Sequence, residues 1–170
     1  MATHGPLYRL LEEDHRRLES LLAQTRREME DSAPLTMYDE FRKGLLRHIS
    51  IEEKVLIPAV QRVRGAAVQS VAERLRLDHG AIAALLVPPP SPMIIRALFG
   101  ILDKHNVIEE GTEGFYEVCE TLPEEEQQRL MQDVHSARQI PLSPNINNPN
   151  ALDATRRALA RAGYTLDDYA

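Results

Sequence analysis

The chain has 170 residues, which suits a single domain with its own core, and it carries a net charge of −6 at neutral pH. The acidic charge argues against nucleic acid as a main partner, because phosphate binding needs a basic surface, and the single cysteine, Cys119, excludes an internal disulfide. No apolar run is long enough to span a membrane and the first residues lack the order of a signal peptide, so we expect a cytoplasmic protein without a membrane partner.

Apolar residues recur every three to four positions, which predicts helices along the chain. The first helix is expected to begin at Pro6, where a missing N–H is tolerated, and to run to about Asp31. Thr36, with Asp39 three residues later, resembles a capping box and predicts the start of a second helix. We expect Pro58 to bend or end that helix.

Gly65 is expected to separate the second helix from a third. The prolines of segment 88–92 then separate the third helix from a fourth, which we predict to continue as far as Tyr116. A fifth helix is predicted from Thr121 to about Arg138, with the threonine as its cap.

The end of the chain is predicted to hold a loop over 140–150 and a short helix, capped by Asn150, that ends at Gly163. The fold class that follows is all-α. An up-down-up-down four-helix bundle is expected over residues 1–120, and a C-terminal helical extension, residues 121–170, is expected to pack on it or be tethered to it. The extension is a candidate surface for a protein partner.

Two copies of one polar pattern lie on the four predicted bundle helices. Each copy has Asp-His followed by His-x-x-x-Glu-Glu, at 14–15 and 48–53 in the first copy and at 78–79 and 105–110 in the second. Residues four apart stand roughly 6 Å apart on one helix face, so a His and a Glu at this spacing can bind the same ion. The predicted metal ligands are His15, His48, Glu52, His79, His105 and Glu109.

The six residues occupy helix faces whose other members are apolar, so we expect them to be buried. An uncompensated buried carboxylate costs on the order of several kcal/mol. No Lys or Arg lies on those faces, and a bound cation is the simplest compensation. The alternative is a coincidental set of partly exposed polar residues, which the repetition of the pattern disfavours.

Imidazoles and carboxylates without a thiolate suit iron or manganese, with zinc or copper as alternatives. A structural zinc ion normally has four ligands, so six are too many for one such ion. Two ions that share Glu52 and Glu109 would use all six residues and leave open positions, which suits dioxygen or peroxide.

The order His, His-x-x-x-Glu, His, His-x-x-x-Glu, with Glu-Glu-x-x-x-x-Pro at 52–58, resembles the hemerythrin-like, or HHE cation-binding, domain over about residues 6–119. The resemblance implies a left-turning four-helix bundle and a non-haem centre of two iron ions with a bridging oxo or hydroxo group, held by the same six residues. The chain departs from the oxygen carriers on the third helix. Where they have His-x-x-x-His, the residues four before and four after His79 are Leu75 and Ala83.

Four acidic residues adjoin the predicted ligands. Glu53 and Glu110 follow the ligand glutamates by about 100° of helical turn, so we expect them beside the centre or at the surface rather than on a metal. Asp14 and Asp78 precede a histidine, and each is expected either to orient an imidazole or to be exposed.

The implied function is a di-iron protein that binds dioxygen, another small diatomic or peroxide, for sensing, scavenging or storage. One alternative is an enzyme that turns over peroxide or nitric oxide, suggested by the open positions and by Tyr8 and Tyr116, although both tyrosines are first expected to be core aromatics. A second is an iron- or oxygen-responsive regulatory module whose partner contacts the C-terminal extension. No residue is assigned a catalytic role, and binding is favoured over catalysis.

Overall fold

The computed structural model describes residues 4–170, which form helices joined by turns and loops and contain no strand. The α-helices are α1 Pro6–Glu30, α2 Tyr38–Ile51, α3 Ile57–Arg64, α4 Gln69–Leu85, α5 Pro92–Glu110, α6 Phe115–Glu120, α7 Glu124–Ser136 and α8 Pro149–Arg161. A π-helical turn, Glu52–Leu56, joins α2 to α3, and 3-10 turns cover Gly65–Val68 and Leu166–Tyr169. The predicted all-α fold, a helical bundle with further C-terminal helices, is confirmed.

Two apolar clusters fill the bundle, one toward each end. The first apolar cluster joins the start of α1 to the end of α2, α3 and the start of α4, and includes Leu7, Leu11, Ile51, Leu56 and Leu75. The second apolar cluster joins the end of α1 to the start of α2, the end of α4 and the first half of α5, and includes Leu22, Phe41, Leu45, Ile82 and Leu98. Successive bundle helices therefore alternate in direction, as predicted.

The second bundle helix does not end at Pro58. It widens into the π-helical turn, in which the N–H of Ile57 donates to the carbonyl of Glu52, five residues back, and it then continues through α3. A wider turn relieves the clash between a proline ring and the carbonyl four residues before it, so the helix passes the proline without a break. The turn begins at a predicted metal ligand.

The fourth bundle helix is shorter than predicted. α5 ends at Glu110, and the chain turns through residues 111–114 before α6 begins. Gly114 closes this turn because a Cβ atom there would lie 2.6 Å from the carbonyl oxygen of Glu109. Seven residues of unbroken helix would carry Tyr116 about 10 Å past Glu109, whereas the turn brings the tyrosine back toward the centre of the bundle.

The three helix caps predicted from the sequence differ from those in the structure. The hydroxyl of Thr36 donates to the carboxylate of Glu28 and does not cap α2. Thr121 follows the end of α6, and α7 begins three residues later. Asn148, rather than Asn150, caps α8 by accepting a backbone N–H at 2.9 Å. Short polar residues hydrogen-bond many nearby groups, so a cluster of them does not identify one cap.

The last helix lies against α4. The hydroxyl of Thr155 donates to the carbonyl of Ala84 at 2.9 Å, and Leu159 is fully buried in the second apolar cluster. Beyond α8, the hydroxyl of Tyr164 donates to the Asp78 carboxylate at 2.9 Å. The division of the chain into two domains stays a prediction. Within the part of the chain that the structure describes, no helix is long and apolar enough to cross a membrane.

Replacement of Gly114 by Ala is expected to destabilise the protein by about 1–3 kcal/mol, because the added methyl group would collide with two backbone carbonyls. Gly80→Ala is the matched control. Gly80 lies within α4 with nothing within 4 Å of an added Cβ, so that change should stabilise by about 0.5–1 kcal/mol. Urea unfolding of both variants checks the pair, and equal effects would contradict the role given to the turn.

Candidate metal centre

The six predicted ligands come together between the two apolar clusters. Glu52 and Glu109 are fully buried, and none of the four histidines is more than 5% exposed. The ligands come from four bundle helices, so the complete set exists only when the bundle is folded. The predicted burial of these residues is confirmed.

The six side chains form two overlapping groups. The first half-site contains His15, His48, Glu52 and Glu109, and the second half-site contains His79, His105, Glu52 and Glu109. Within each half-site, one ligand atom from every residue lies within 4.8 Å of the others. Both carboxylates are shared, so Glu52 and Glu109 are placed to bridge two ions.

A carboxylate from the preceding bundle helix holds each imidazole. The four pairs, with their Nδ1–oxygen distances, are Asp14–His48 at 2.8 Å, Glu53–His79 at 2.6 Å, Asp78–His105 at 3.4 Å and Glu110–His15 at 2.5 Å. These pairs close a circle around the bundle, which we call the carboxylate–histidine ring. With Nδ1 engaged, every Nε2 atom is left to face the shared glutamates.

The carboxylate–histidine ring resolves the expectations for the four adjoining acids. Asp14 and Asp78 orient imidazoles, and Asp78 is fully buried rather than exposed. Glu53 and Glu110 lie beside the centre and contact the outer nitrogen of a histidine. A signal was present in the sequence, since Asp-His and Glu-Glu recur in both copies of the pattern.

Arginines lie on the outer side of the same carboxylates. Arg17 is 2.7 Å from Asp14, Arg16 is 2.8 Å from Glu110, Arg76 is 3.4 Å from Glu53, and Arg74 pairs with Asp78. Burial of Asp14 opposes its ionisation, but the hydrogen bond and charge of His48, together with Arg17, lower its pKa to about 2. Asp14 is therefore ionised at neutral pH.

Three of the imidazoles, those of His48, His79 and His105, have strongly raised pKa values. Burial acts to lower the pKa of His48, but Glu52 and the hydrogen bond to Asp14 outweigh it and raise the pKa to about 10. The same opposition between burial and neighbouring carboxylates raises the pKa of His79 to about 12 and that of His105 to about 9. Despite complete burial, the pKa of Glu52 falls well below its usual value, because His48 and His79 face it.

These shifts correct the charge argument drawn from the sequence. In the metal-free protein, protonated His48, His79 and His105 neutralise the buried glutamates, so charge balance alone does not demand a metal ion. A metal ion has to replace these protons, because only a neutral imidazole offers a lone pair.

Three buried atoms of the second half-site indicate that the residues fit a metal. Glu52 Oε2, His79 Nε2 and Glu109 Oε1 have no hydrogen-bond partner among the described residues. His79 Nε2 lies 3.1 Å from Glu52 Oε2 and 3.9 Å from Glu109 Oε1, at angles that make no hydrogen bond. Buried polar atoms without partners are rare in folded proteins. Two carboxylate oxygens and an imidazole nitrogen that meet at one point suit a cation, which would replace the imidazole proton.

Tyr116 lies against the predicted ligands, although the sequence favoured a core aromatic over a role at the centre. Its ring is fully buried, as expected of a core aromatic, but its hydroxyl oxygen lies in the first half-site. It is 3.0 Å from His15 Nε2, 3.1 Å from His48 Nε2, 2.6 Å from Glu52 Oε1 and 3.2 Å from Glu109 Oε2. No spacing rule could have placed it there, because a helix break separates it from Glu109.

A small cavity adjoins the centre on the side of the second apolar cluster. Its volume is about 20 Å³, and its walls include His15, His48, Leu45, Ile82 and Phe99. A cavity of this size holds about one water-sized molecule. Leu75 and Ala83, four residues before and after His79, offer no ligand atom, and Leu75 is fully buried.

Comparison with protein families agrees with this geometry. Residues 7–87 match the family model described as "Hemerythrin HHE cation binding domain", which confirms the resemblance seen in the sequence over that range. The match includes His15, His48, Glu52 and His79, while the predicted ligands on α5, His105 and Glu109, lie outside it. Searches of curated proteins and of solved structures each found no significant match.

The metal-free protein should be most stable between about pH 4.5 and 6.5. The raised pKa values of three histidines stabilise the fold fully below their unfolded value of 6.5, and this contribution is lost as the pH rises through about 9 and beyond. The lowered pKa of Glu52 stabilises the fold above 4.5 and is lost on acidification. Thermal unfolding of chelator-treated protein across this range measures the effect. A melting temperature that rises from pH 6.5 to 9 would contradict it.

Proposed function

We propose that the chain is a non-haem di-iron protein that binds dioxygen or a related small ligand, for sensing, scavenging or storage. The observation that carries the proposal is the pair of half-sites that share Glu52 and Glu109, with buried ligand atoms that lack hydrogen-bond partners. Four imidazoles and two carboxylates would hold the ions. When bound, a pair of iron ions supplies the one-electron changes that dioxygen chemistry requires.

Iron is favoured by the donor set. The two half-sites offer nitrogen and carboxylate oxygen and no thiolate, since Cys119 is buried outside both of them. Such a set suits iron or manganese, whereas a structural zinc ion would be closed by four ligands of its own. The family match supports a cation at this position and leaves the identity of the metal to experiment.

The protein's contribution is to orient the ligands and to select by size. The carboxylate–histidine ring turns every Nε2 inward and limits rotation of the imidazoles. The apolar walls of the small cavity disfavour charged ligands, and its volume of about 20 Å³ admits a diatomic rather than an organic substrate. With Leu75 and Ala83 on either side of His79 and no further histidine there, a coordination position is left for such a ligand.

A regulatory module is the second candidate, and one contact favours it. Tyr164 donates to Asp78, and Asp78 in turn contacts His105 of the second half-site. If metal binding moves His105, the shift would pass through Asp78 to Tyr164, just after the end of α8. Turnover of peroxide or nitric oxide stays an alternative that rests on the open position and on the nearby tyrosines Tyr8 and Tyr116.

Anaerobic titration with ferrous iron should reach two ions per chain, and admission of air should then produce the absorption bands of a di-iron centre. Glu52→Ala and Glu109→Ala should each lose the paired ions, because both half-sites use these carboxylates. The matched controls, Glu53→Gln and Glu110→Gln, should still take two ions with affinity weaker by about 10–100-fold. Metal analysis and absorption spectroscopy provide the measurement. Wild-type protein that binds less than one iron would refute the proposal.

Hydrogen exchange separates the regulatory candidate from simple binding. If the tail senses the metal, iron should slow exchange in residues 149–170, and Tyr164→Phe should remove most of that protection without changing iron content. Tyr169→Phe, in the same tail, is the control and should keep the protection. Equal exchange with and without iron would eliminate the regulatory candidate.

A further inference from the structure

The position of the Tyr116 hydroxyl exceeds what hydrogen bonding requires. A phenol donates one hydrogen bond and accepts up to two, yet four polar atoms surround this oxygen at 2.6 to 3.2 Å. These four atoms belong to the four residues of the first half-site, one atom from each. In the second half-site, Glu52 Oε2, His79 Nε2 and Glu109 Oε1 have no hydrogen-bond partner, so no hydroxyl of residues 4–170 plays the part there that Tyr116 plays in the first.

The distances match those between ligands of one metal ion. Two donor atoms that lie about 2.1 Å from an ion, at right angles to each other, are separated by about 3 Å. The separations from the phenol oxygen to His15 Nε2 and His48 Nε2 are 3.0 and 3.1 Å. An ion between these nitrogens would have the tyrosine oxygen within its coordination sphere.

The phenol and the cavity approach the centre from opposite ends. Tyr116 packs in the first apolar cluster, whereas Leu45, Ile82 and the other apolar walls of the cavity belong to or adjoin the second apolar cluster. A bond from the tyrosine oxygen to the metal would therefore leave the cavity free for a small ligand. The turn at Gly114 makes this approach possible, because it brings α6 back over the end of α5.

We propose that Tyr116 is a seventh protein ligand of the centre, bound as a phenolate to the ion that His15 and His48 hold. This inference rests on the proposed function. The phenol proton leaves to water when the oxygen–metal bond forms, as the imidazole protons do. The two ions are then unequal, since the ion at His79 and His105 has no phenolate. An anionic oxygen donor also favours the ferric state of the ion that it binds.

The test is the colour of the ferric protein. Oxidised wild-type protein with two iron ions should show an intense visible phenolate-to-iron charge-transfer band, and Raman excitation within the band should enhance tyrosine ring vibrations. Tyr116→Phe should lose the band and retain two iron ions per chain. Tyr8 packs edge-on against Tyr116 with ring centroids 5.9 Å apart, and its hydroxyl donates to the backbone carbonyl of Glu110. Tyr8→Phe is therefore the matched control. It should keep the band.

A measurement on the wild-type chain guards against a variant that fails to fold. Protein made with ring-deuterated tyrosine should show the enhanced Raman lines shifted, which assigns the band to a tyrosine without any substitution. Two bound iron ions with no such band, or a band that survives Tyr116→Phe, would overturn the ligand role and leave the proposed function intact. Failure to bind iron would overturn both.

Discussion

The hydrogen bond between a carboxylate and the outer nitrogen of an imidazole organises this molecule. Four such bonds join each bundle helix to the next and form a closed circle. Every bundle helix therefore provides one carboxylate and one histidine. Their joint effect is to point four Nε2 atoms at two shared glutamates. The rest of the interior follows from this arrangement, because apolar side chains must pack at both ends of a polar centre.

Protons and metal ions compete for the same interior. Carboxylates from the ring and the two shared glutamates raise the pKa values of His48, His79 and His105. In the metal-free protein, the positive charge of these protonated histidines therefore stabilises the buried glutamates. A metal ion brings the same charge to the same place and releases those protons. The fold therefore tolerates either state, and the unpartnered atoms of the second half-site are what distinguish a site for metal from a buried salt bridge.

Much of this arrangement was predictable from the sequence, and the exceptions have physical causes. Helical periodicity and the spacing of His48 with Glu52 identified the bundle and the six residues that the structure brings together, because both depend on contacts within one helix. The π-helical turn at Glu52 and the break after Glu110 depend on proline and glycine sterics in three dimensions. Tyr116 meets His15 across 101 positions of sequence, and no local pattern reports such a contact.

The two copies of the polar pattern correspond helix by helix, α1 with α4 and α2 with α5, and one half-site corresponds to the other. Two identical halves would let a bridging ligand bind in either of two orientations. Side chains that follow α5 make the two halves different. Tyr116 enters the first half-site and Ala59 stands at the equivalent position of the first copy, seven residues after Glu52, while Tyr164 contacts only the second copy's aspartate. The difference between the two halves would let an unsymmetrical ligand bind in a single orientation. That difference is supplied by residues outside the repeated pattern.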